Sequence, residues 1–187
     1  PTDFFALKGV LEALLVGLHV PEVRCEPVAH PSFVPGRTAS LGRDGAELGV
    51  FGELHPDVAA AFDLPEGPTY VAELDLERIA TAAGAATRVR PVPRYPPALR
   101  DLAVVVAETV PAGELVAVIR EAGGPLLADV RLFDVYRGQQ VAGGQKSLAV
   151  SLAFQAPDRT LTDAEVDGTT HAVVEALTAR LGAQLRV

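Results

Sequence analysis

The sequence predicts an α+β fold in which helices pack against largely antiparallel sheets. Two patterns indicate it: apolar runs that alternate with period two between short turns, and longer stretches with apolar residues at three- and four-residue spacing. A third observation, the run of prolines within residues 84–97, divides the chain in two. We therefore expect a first domain over residues 1–85, an extended linker over 86–97 and a second domain over 98–187.

The first part is predicted to begin with a long helix. Asp3 suits its N-cap, and apolar positions from Phe4 to Leu18 recur at helical spacing. A tight Asp44-Gly45 turn separates two of the strands that follow. The strands are expected over residues 23–28, 37–41, 47–54 and 69–74, and two short helices over 56–62 and 76–83. Because so few strands leave one sheet edge bare, we expect this part to be incomplete as a domain.

The second part has a regular order of elements. Strands are expected over residues 101–106, 130–136, 146–154 and 183–187, and helices over 111–122 and 163–181. Thr162 and Glu165 form a capping-box pair for the last helix. This βαββαβ order is that of a ferredoxin-like domain, in which both helices cover one face of an antiparallel sheet. The other face is then free for a partner.

The strand over residues 146–154 has two very different sides. The large residues on one side are Leu148, Val150, Leu152 and Phe154, and the small residues on the other are Ser147, Ala149, Ser151 and Ala153. The first side suits a core, because successive side chains of a strand point to opposite faces. A face of serine and alanine adds little to a core, but it lets a flat partner approach the backbone closely.

Charge and hydropathy narrow the possible partners. The formal net charge of −8 argues against indiscriminate phosphate binding, and we do not expect DNA as a partner. The acidic excess is uneven, with a net charge of −6 over residues 1–93 and −2 over residues 94–187. Any RNA contact is therefore expected in the second half. No apolar run approaches the roughly 20 residues that span a bilayer, so we expect a cytoplasmic protein without a membrane partner.

The residue types that most often form catalytic or metal sites do not cluster in this sequence. Cys25 is the only cysteine, and neither it nor the four histidines fall at zinc-ligand spacing. His30 and His55 each precede a proline and are interpreted as turn residues. The glycine-rich loop over residues 138–147 superficially resembles a phosphate loop, but its lysine does not follow the second glycine directly, and a strand follows where a helix is required. We expect no catalytic residue and no metal or cofactor site in this chain.

Motifs along the whole chain resemble one family. In the second half they are Pro97-x-x-Arg100-Asp101-Leu102-Ala103, Leu132-Phe133-Asp134-Val135-Tyr136-x-Gly138, Lys146-Ser147-Leu148-Ala149 and Arg159-Thr160-Leu161-Thr162-Asp163. This half resembles the ferredoxin-fold anticodon-binding domain of the bacterial phenylalanyl-tRNA synthetase beta subunit. In the first half they are Asp3-Phe4-Phe5-x-Leu7-Lys8-Gly9, His30-Pro31, Pro35-Gly36-Arg37 and Gly49-Val50-Phe51-Gly52-Glu53-Leu54-His55-Pro56. That half is similar to the catalytic-like module of the same subunit, which has the class II synthetase fold without its activity.

The resemblance implies that this chain is a fragment of a larger subunit. The complete enzyme would be a ligase that joins phenylalanine to its tRNA, with ATP and magnesium acting on the alpha subunit. Phenylalanine tRNA and the alpha subunit would be its partners, in an (αβ)2 heterotetramer. The sequence agrees with a non-catalytic first module, since it lacks the Gly-x-Gly-x-Gly-x-Arg run with which a class II site holds ATP.

The resemblance also implies site residues. The family's anticodon contacts fall on Ala103, Asp134 and Ser147, with Tyr136 as a stacking candidate, and Arg100, Arg137 and Lys146 are candidates for RNA-backbone contacts. Asp134 has the parity opposite to Phe133 and Val135, which we expect to be buried, so it belongs on the open side of the sheet. A carboxylate accepts two hydrogen bonds from the N1 and N2 edge of guanine, the first anticodon base expected for a phenylalanine tRNA. The other interpretations are a solvated strand carboxylate for Asp134 and a structural role for Tyr136.

A second functional class shares this element order. Amino-acid-binding ACT modules, which are small-molecule sensors, also have the order βαββαβ. They place a glycine-rich turn after the first strand, whereas residues 107–111 contain no glycine. An ACT-like regulatory domain is therefore the alternative to an RNA-binding one.

Overall fold

The computed structural model describes residues 2–84, 93–138 and 140–186. The chain divides into two compact units, Pro1–Val89 and Arg90–Val187. Most of the linker expected over residues 86–97 lies outside the described ranges, so the expected domain boundaries stay a prediction.

The first unit is a four-stranded antiparallel sheet with three helices among its described residues. Its elements are α1 (Phe4–Gly17), β1 (Arg24–Pro27), β2 (Phe33–Arg43), β3 (Ala46–Leu54), α2 (Pro56–Ala61), β4 (Tyr70–Leu74) and α3 (Leu76–Ala82). The strands lie in the order β1-β2-β3-β4, and each neighbouring pair is antiparallel. The predicted succession of helices and strands is confirmed here.

Local signals explain where α1 and the β2–β3 turn form. The Asp3 carboxylate accepts a hydrogen bond from the Ala6 backbone N–H at 2.8 Å, which caps the helix as predicted. Asp44 and Gly45 have φ angles of 51° and 81°, the left-handed pair of a type I′ turn whose twist matches that of the flanking strands. Both features depend on residues that are neighbours in sequence.

The core of the first unit lies between helices α1 and α3 and one face of the sheet. Its buried residues are Leu11, Leu15, Val20, Ala39, Leu41, Leu48, Phe51 and Ile79. β2 begins at Phe33 rather than at the predicted Arg37, and a bulge between Phe33 and Thr38 interrupts its pairing with β3. At this bulge the Arg37 carbonyl oxygen lies so close to Gly52 that an added Cβ would be 2.4 Å from it. Only glycine fits at that position of β3.

The second unit is a four-stranded antiparallel sheet with two long helices among its described residues. Its elements are β5 (Ala98–Ala107), α4 (Ala112–Gly123), β6 (Leu127–Tyr136), β7 (Gln145–Phe154), α5 (Asp163–Leu181) and β8 (Gln184–Leu185). The strand order is β6-β7-β5-β8, and every neighbouring pair is antiparallel. The predicted βαββαβ arrangement is confirmed.

Both helices of the second unit pack on one face of the sheet. The buried residues that join them are Val104, Val106, Leu115, Val118, Ile119, Val130, Leu148, Val150, Leu152, Phe154, Val166, Val173, Leu177 and Ala183. The predicted capping box is present, since the Thr162 backbone N–H donates to the Glu165 carboxylate at 2.9 Å and the Thr162 hydroxyl accepts from the Glu165 backbone N–H. Within the described ranges, no helix is long and apolar enough to cross a membrane.

The pairing of β6 with β7 slips by one residue between Leu132 and Asp134. Leu132 still faces the helices, whereas Asp134 faces the opposite side, and Phe133 is the extra residue of a bulge. The expected burial of Phe133 is wrong, because its side chain is 54% exposed, and Val135 is also more exposed than expected. The physical reason is that β6 is an edge strand whose bulge turns Phe133 out of the alternating pattern.

Candidate nucleic-acid interface

We call the face of the second sheet that α4 and α5 leave uncovered the open face. From the strand pairing, its residues are Leu99, Asp101, Ala103 and Val105 of β5, Asp129, Arg131, Asp134 and Tyr136 of β6, and Ser147, Ala149, Ser151 and Ala153 of β7. Asp134, Ala149 and Ala103 form one cross-strand row. Neighbouring strands lie about 4.8 Å apart, so Asp134 and Ala103 stand on the order of 10 Å apart. Tyr136, Ser147 and Val105 form the next row.

The strand register thus brings the three predicted anticodon-contact residues, Ala103, Asp134 and Ser147, to one face. Side chains between them project little above the backbone of β7, because Ala149 and Ser151 are small and only partly exposed. A planar ring can therefore lie close to the backbone of β7. Whether these residues contact an anticodon stays a prediction.

Asp134 is the acidic end of its row. Its side chain is exposed, and it forms no ion pair in the described part of the chain. The open-face arginine closest to it in sequence, Arg131, lies opposite Ser151 in a neighbouring row. The Asp134 carboxylate can therefore offer both oxygens as acceptors to an incoming ligand.

Arg186 is a residue of this face that the sequence analysis missed. Its guanidinium carbon lies 5.1 Å from the centroid of the Tyr136 ring. Its backbone N–H donates to the Ala103 carbonyl at 2.8 Å, which continues the pairing of β8 with β5 by one residue. The only signal in the sequence is a basic residue within the predicted last strand, and that signal says nothing about a tyrosine fifty positions earlier.

Arg100 was expected to contact the RNA backbone, and the structure places it on the other side of the sheet. It lies in the same row as the buried Leu152, on the helix-covered face. Its guanidinium contacts the carboxylates of Asp163 and Asp167 in α5, each at 3.2 Å. Its parity on β5 and these two acidic partners direct it toward the helix and away from the open face.

Lys146 and Arg137 both meet Glu108. The Lys146 side chain is nearly buried on the helix-covered face, and its ammonium donates to the Glu108 carbonyl at 2.8 Å, so the structure does not bring it to the open face. Arg137 donates from Nε and Nη2 to the Glu108 carboxylate at 2.9 and 2.8 Å. This hydrogen-bonded guanidinium holds the pKa of Glu108 below its usual range. Of the three predicted RNA-backbone residues, Arg137 alone keeps a largely exposed side chain.

The histidines take the turn roles that their sequence context predicted. The Nδ1 of His55 accepts from the Asp57 backbone N–H at 3.2 Å and caps α2, and the Nδ1 of His30 accepts from the Ser32 backbone N–H at 3.3 Å. Among residues 2–84, 93–138 and 140–186, no three His, Cys, Asp or Glu side chains come together as metal ligands.

Comparison with known families agrees with this fold. Residues 93–186 match the ferredoxin-fold anticodon binding domain, and the chain belongs to this family. Residues 1–76 match the CLM domain of the phenylalanyl tRNA synthetase beta chain. The matched family favours the RNA-binding interpretation over the ACT-like alternative.

Several curated relatives are similar to this chain over nearly its whole length. The chain is 53% identical to the phenylalanine–tRNA ligase beta subunit of Symbiobacterium thermophilum, over 100% of the chain and 21% of that relative. It is 50% identical to the beta subunit of Moorella thermoacetica and 45% identical to that of Geobacillus kaustophilus, in each case over 98% of the chain and 23% of the relative. The predicted resemblance to this subunit is confirmed. The chain spans about a fifth of the length of the curated relatives it matches.

Proposed function

We propose that the second unit binds the anticodon of phenylalanine tRNA on its open face. The observation that supports this most directly is the row of Asp134, Ala149 and Ala103, in which an exposed carboxylate stands beside two small residues. A base can lie over Ala149 with its hydrogen-bonding edge toward Asp134. The proposal also rests on the family to which residues 93–186 belong.

Asp134 supplies the selectivity in this proposal. An ionised carboxylate only accepts hydrogen bonds, and guanine presents its N1–H and N2–H donors side by side. Adenine presents an acceptor at N1, which would meet a carboxylate lone pair. Ala103 permits close approach of the base, Ser147 adds a hydroxyl, and Tyr136 offers a ring on which a base can stack.

Phosphate contacts make a small contribution to binding in this proposal. Residues 94–187 carry a net charge of −2, and the side chains of Arg100 and Lys146 are engaged on the helix-covered face. We therefore expect weak binding with a shallow dependence on salt concentration.

The named relatives extend the proposal to the whole protein. We place this chain in a beta subunit that joins an alpha subunit in an (αβ)2 heterotetramer in the cytoplasm and takes part in the ligation of phenylalanine to its tRNA. In this proposal, ATP and magnesium act on the alpha subunit. The first unit is a non-catalytic module that contacts partner chains.

The experiment is a titration of wild-type protein and Asp134→Asn with two anticodon stem-loops that differ only in having guanine or adenine as the first anticodon base. The substitution replaces one acceptor oxygen with a donor amide that faces a guanine N–H. We expect a loss on the order of 1–3 kcal/mol for the guanine loop, the usual cost of leaving such a group without a partner. The adenine loop should bind wild type and variant about equally.

Asp101→Asn is the matched control, because Asp101 is an exposed aspartate on the same face in a neighbouring row. It makes the same change in charge and should leave the preference for guanine intact. Thermal melts show whether each variant is folded. Equal losses on both loops for Asp134→Asn would mean that Asp134 supports the hairpin rather than reading a base.

A further inference from the structure

Ser147 is far less exposed than its neighbours on the open face. It is 3% exposed, although Ala149, Ser151 and Ala153 on the same side of β7 are all partly exposed. The four residues are of similar size and have the same strand on each side. Something specific to the row of Ser147 must therefore cover it.

We attribute this cover to Tyr136 and Val105, which flank Ser147 in its row, and to Arg186, which reaches the Tyr136 ring. Tyr136 lies directly opposite Ser147 on β6. The backbone of Arg186 lies beside Ala103 of β5, at the edge of the sheet opposite to β6. Its guanidinium nevertheless reaches the Tyr136 ring. β8 and β6 are separated by three strand spacings, on the order of 14 Å, so the two side chains can meet only above the strands between them.

A second contact holds the arginine in this position. The Arg186 guanidinium also donates to the side-chain oxygen of Gln140 in the hairpin loop between β6 and β7. We call Arg186, Tyr136 and Gln140 the arginine cluster. It connects the end of the chain to the hairpin loop across the open face.

A nucleotide base needs the same space. A guanidinium is a flat group that packs on an aromatic ring, as a base does. A base that stacks on Tyr136 or hydrogen-bonds to Ser147 cannot enter while Arg186 lies there. The arginine cluster therefore presents a closed form of the surface on which the proposed function depends.

We propose that Arg186 occupies the place of a base over Tyr136 and Ser147, and that RNA must displace it in order to bind. The inference rests on the proposed function. One cation–π contact and one hydrogen bond to a neutral amide are individually weak, so the cluster opens readily. The apparent affinity for RNA is then reduced by the fraction of molecules in which the cluster is closed.

The first test measures the accessibility of Tyr136 without RNA. The chain has three tyrosines and no tryptophan, so replacing Tyr70 and Tyr95 with phenylalanine leaves Tyr136 as the only fluorescent residue of this kind. In that background, Arg186→Ala and Gln140→Ala should both increase quenching of tyrosine fluorescence by acrylamide. Arg131→Ala, which removes another open-face arginine in a different row, should leave quenching unchanged.

The second test measures affinity for the guanine and adenine stem-loops. Gln140→Ala keeps every charge and should bind the guanine loop about two- to tenfold more tightly, as expected from losing one hydrogen bond that favours the closed form. Arg186→Ala should bind at least as tightly as wild type, with the same salt dependence. Arg131→Ala should show no gain for either loop.

Three results would overturn the inference. Unchanged quenching in both variants would mean that Arg186 does not cover Tyr136. Greater quenching without any gain in affinity would mean that the arginine does not compete with RNA. Weaker binding of both loops by Arg186→Ala, with a salt slope smaller by about one, would mean that Arg186 contacts a phosphate. A wild-type protein that binds neither loop would instead refute the proposed function, and quenching would still decide whether Arg186 covers Tyr136.

Discussion

The two units have similar sheets but very different outer surfaces. Each is a four-stranded antiparallel sheet with helices on one face. The outer side of α1 is apolar, with Phe5 and Val16 each 74% exposed, and its charged residues Lys8 and Glu12 pair with each other. The helices α4 and α5 carry charged residues in ion pairs instead, with each other through Arg180 and Glu121 and with the strands through Arg120 and Asp129 and through Asp163 and Arg100.

This difference separates a unit whose helices face water, the second, from a unit with an exposed apolar helix, the first. A helix that is apolar on all sides is typical of one buried among other elements, whereas a charged outer side is typical of a helix that faces water. The second unit has the surface of an independent domain. The first has a buried core of its own but presents a second apolar surface on α1.

The largest effect is expected when each unit is produced without the other. Residues 93–187 produced alone should be monomeric and unfold cooperatively on heating, because their core is complete and their helices are charged outside. Residues 1–84 produced alone should self-associate or lack a cooperative transition, because the apolar side of α1 stays uncovered. Size-exclusion chromatography and thermal melts provide the measurements. A monomeric first piece with a sharp transition would remove the contrast.

A smaller effect is expected when a residue under the helices and a residue at the bulge of β6 are each truncated to alanine. Leu148 is fully buried under the helices, whereas Phe133 stands at the bulge of an edge strand. Leu148→Ala should lower the free energy of unfolding by about 2–5 kcal/mol, the usual cost of a cavity at such a position. Phe133→Ala should cost well under half as much despite its larger side chain. Urea unfolding of both variants gives the comparison, and equal losses would place Phe133 in the core after all.

The smallest effect concerns the capping box of α5. Hydrogen bonds from the backbone and hydroxyl of Thr162, together with Arg159, hold the pKa of Glu165 below its ordinary value. A carboxyl whose pKa is lowered by folding stabilises the folded state above the unfolded pKa, and that stabilisation disappears as the pH falls through the folded pKa. As the pH is lowered from about 5 to about 3, the Tm of the wild type should therefore decrease more than the Tm of Glu165→Gln.

Asp158→Asn is the control for this pH dependence, because Asp158 is an exposed carboxylate in the loop before α5. It should follow the wild-type curve. Parallel curves for wild type and Glu165→Gln would show that the capping box does not contribute to acid sensitivity.

The sequence by itself determined the features that depend on short-range patterns. The Asp3 cap, the Asp44-Gly45 turn and the capping box of Thr162 and Glu165 all join residues at most three positions apart. The alternation of large and small residues in β7 was equally readable, because the period of a strand is a property of the backbone. These local signals, with the order of the elements, were enough to predict the fold of the second unit.

Only the tertiary structure decided what depends on strand register. The bulge at Phe133 exists because β6 and β7 slip by one residue, and no pattern within β6 reveals that slip. The strand parity of Arg100 and Lys146 already sets them opposite to Ala103 and Ser147, but only the structure shows that their partners are on α5 and at Glu108. Arg186 meets Tyr136 because β5 and β7 bring two distant segments onto one face, and a sequence states distance along the chain rather than across a sheet.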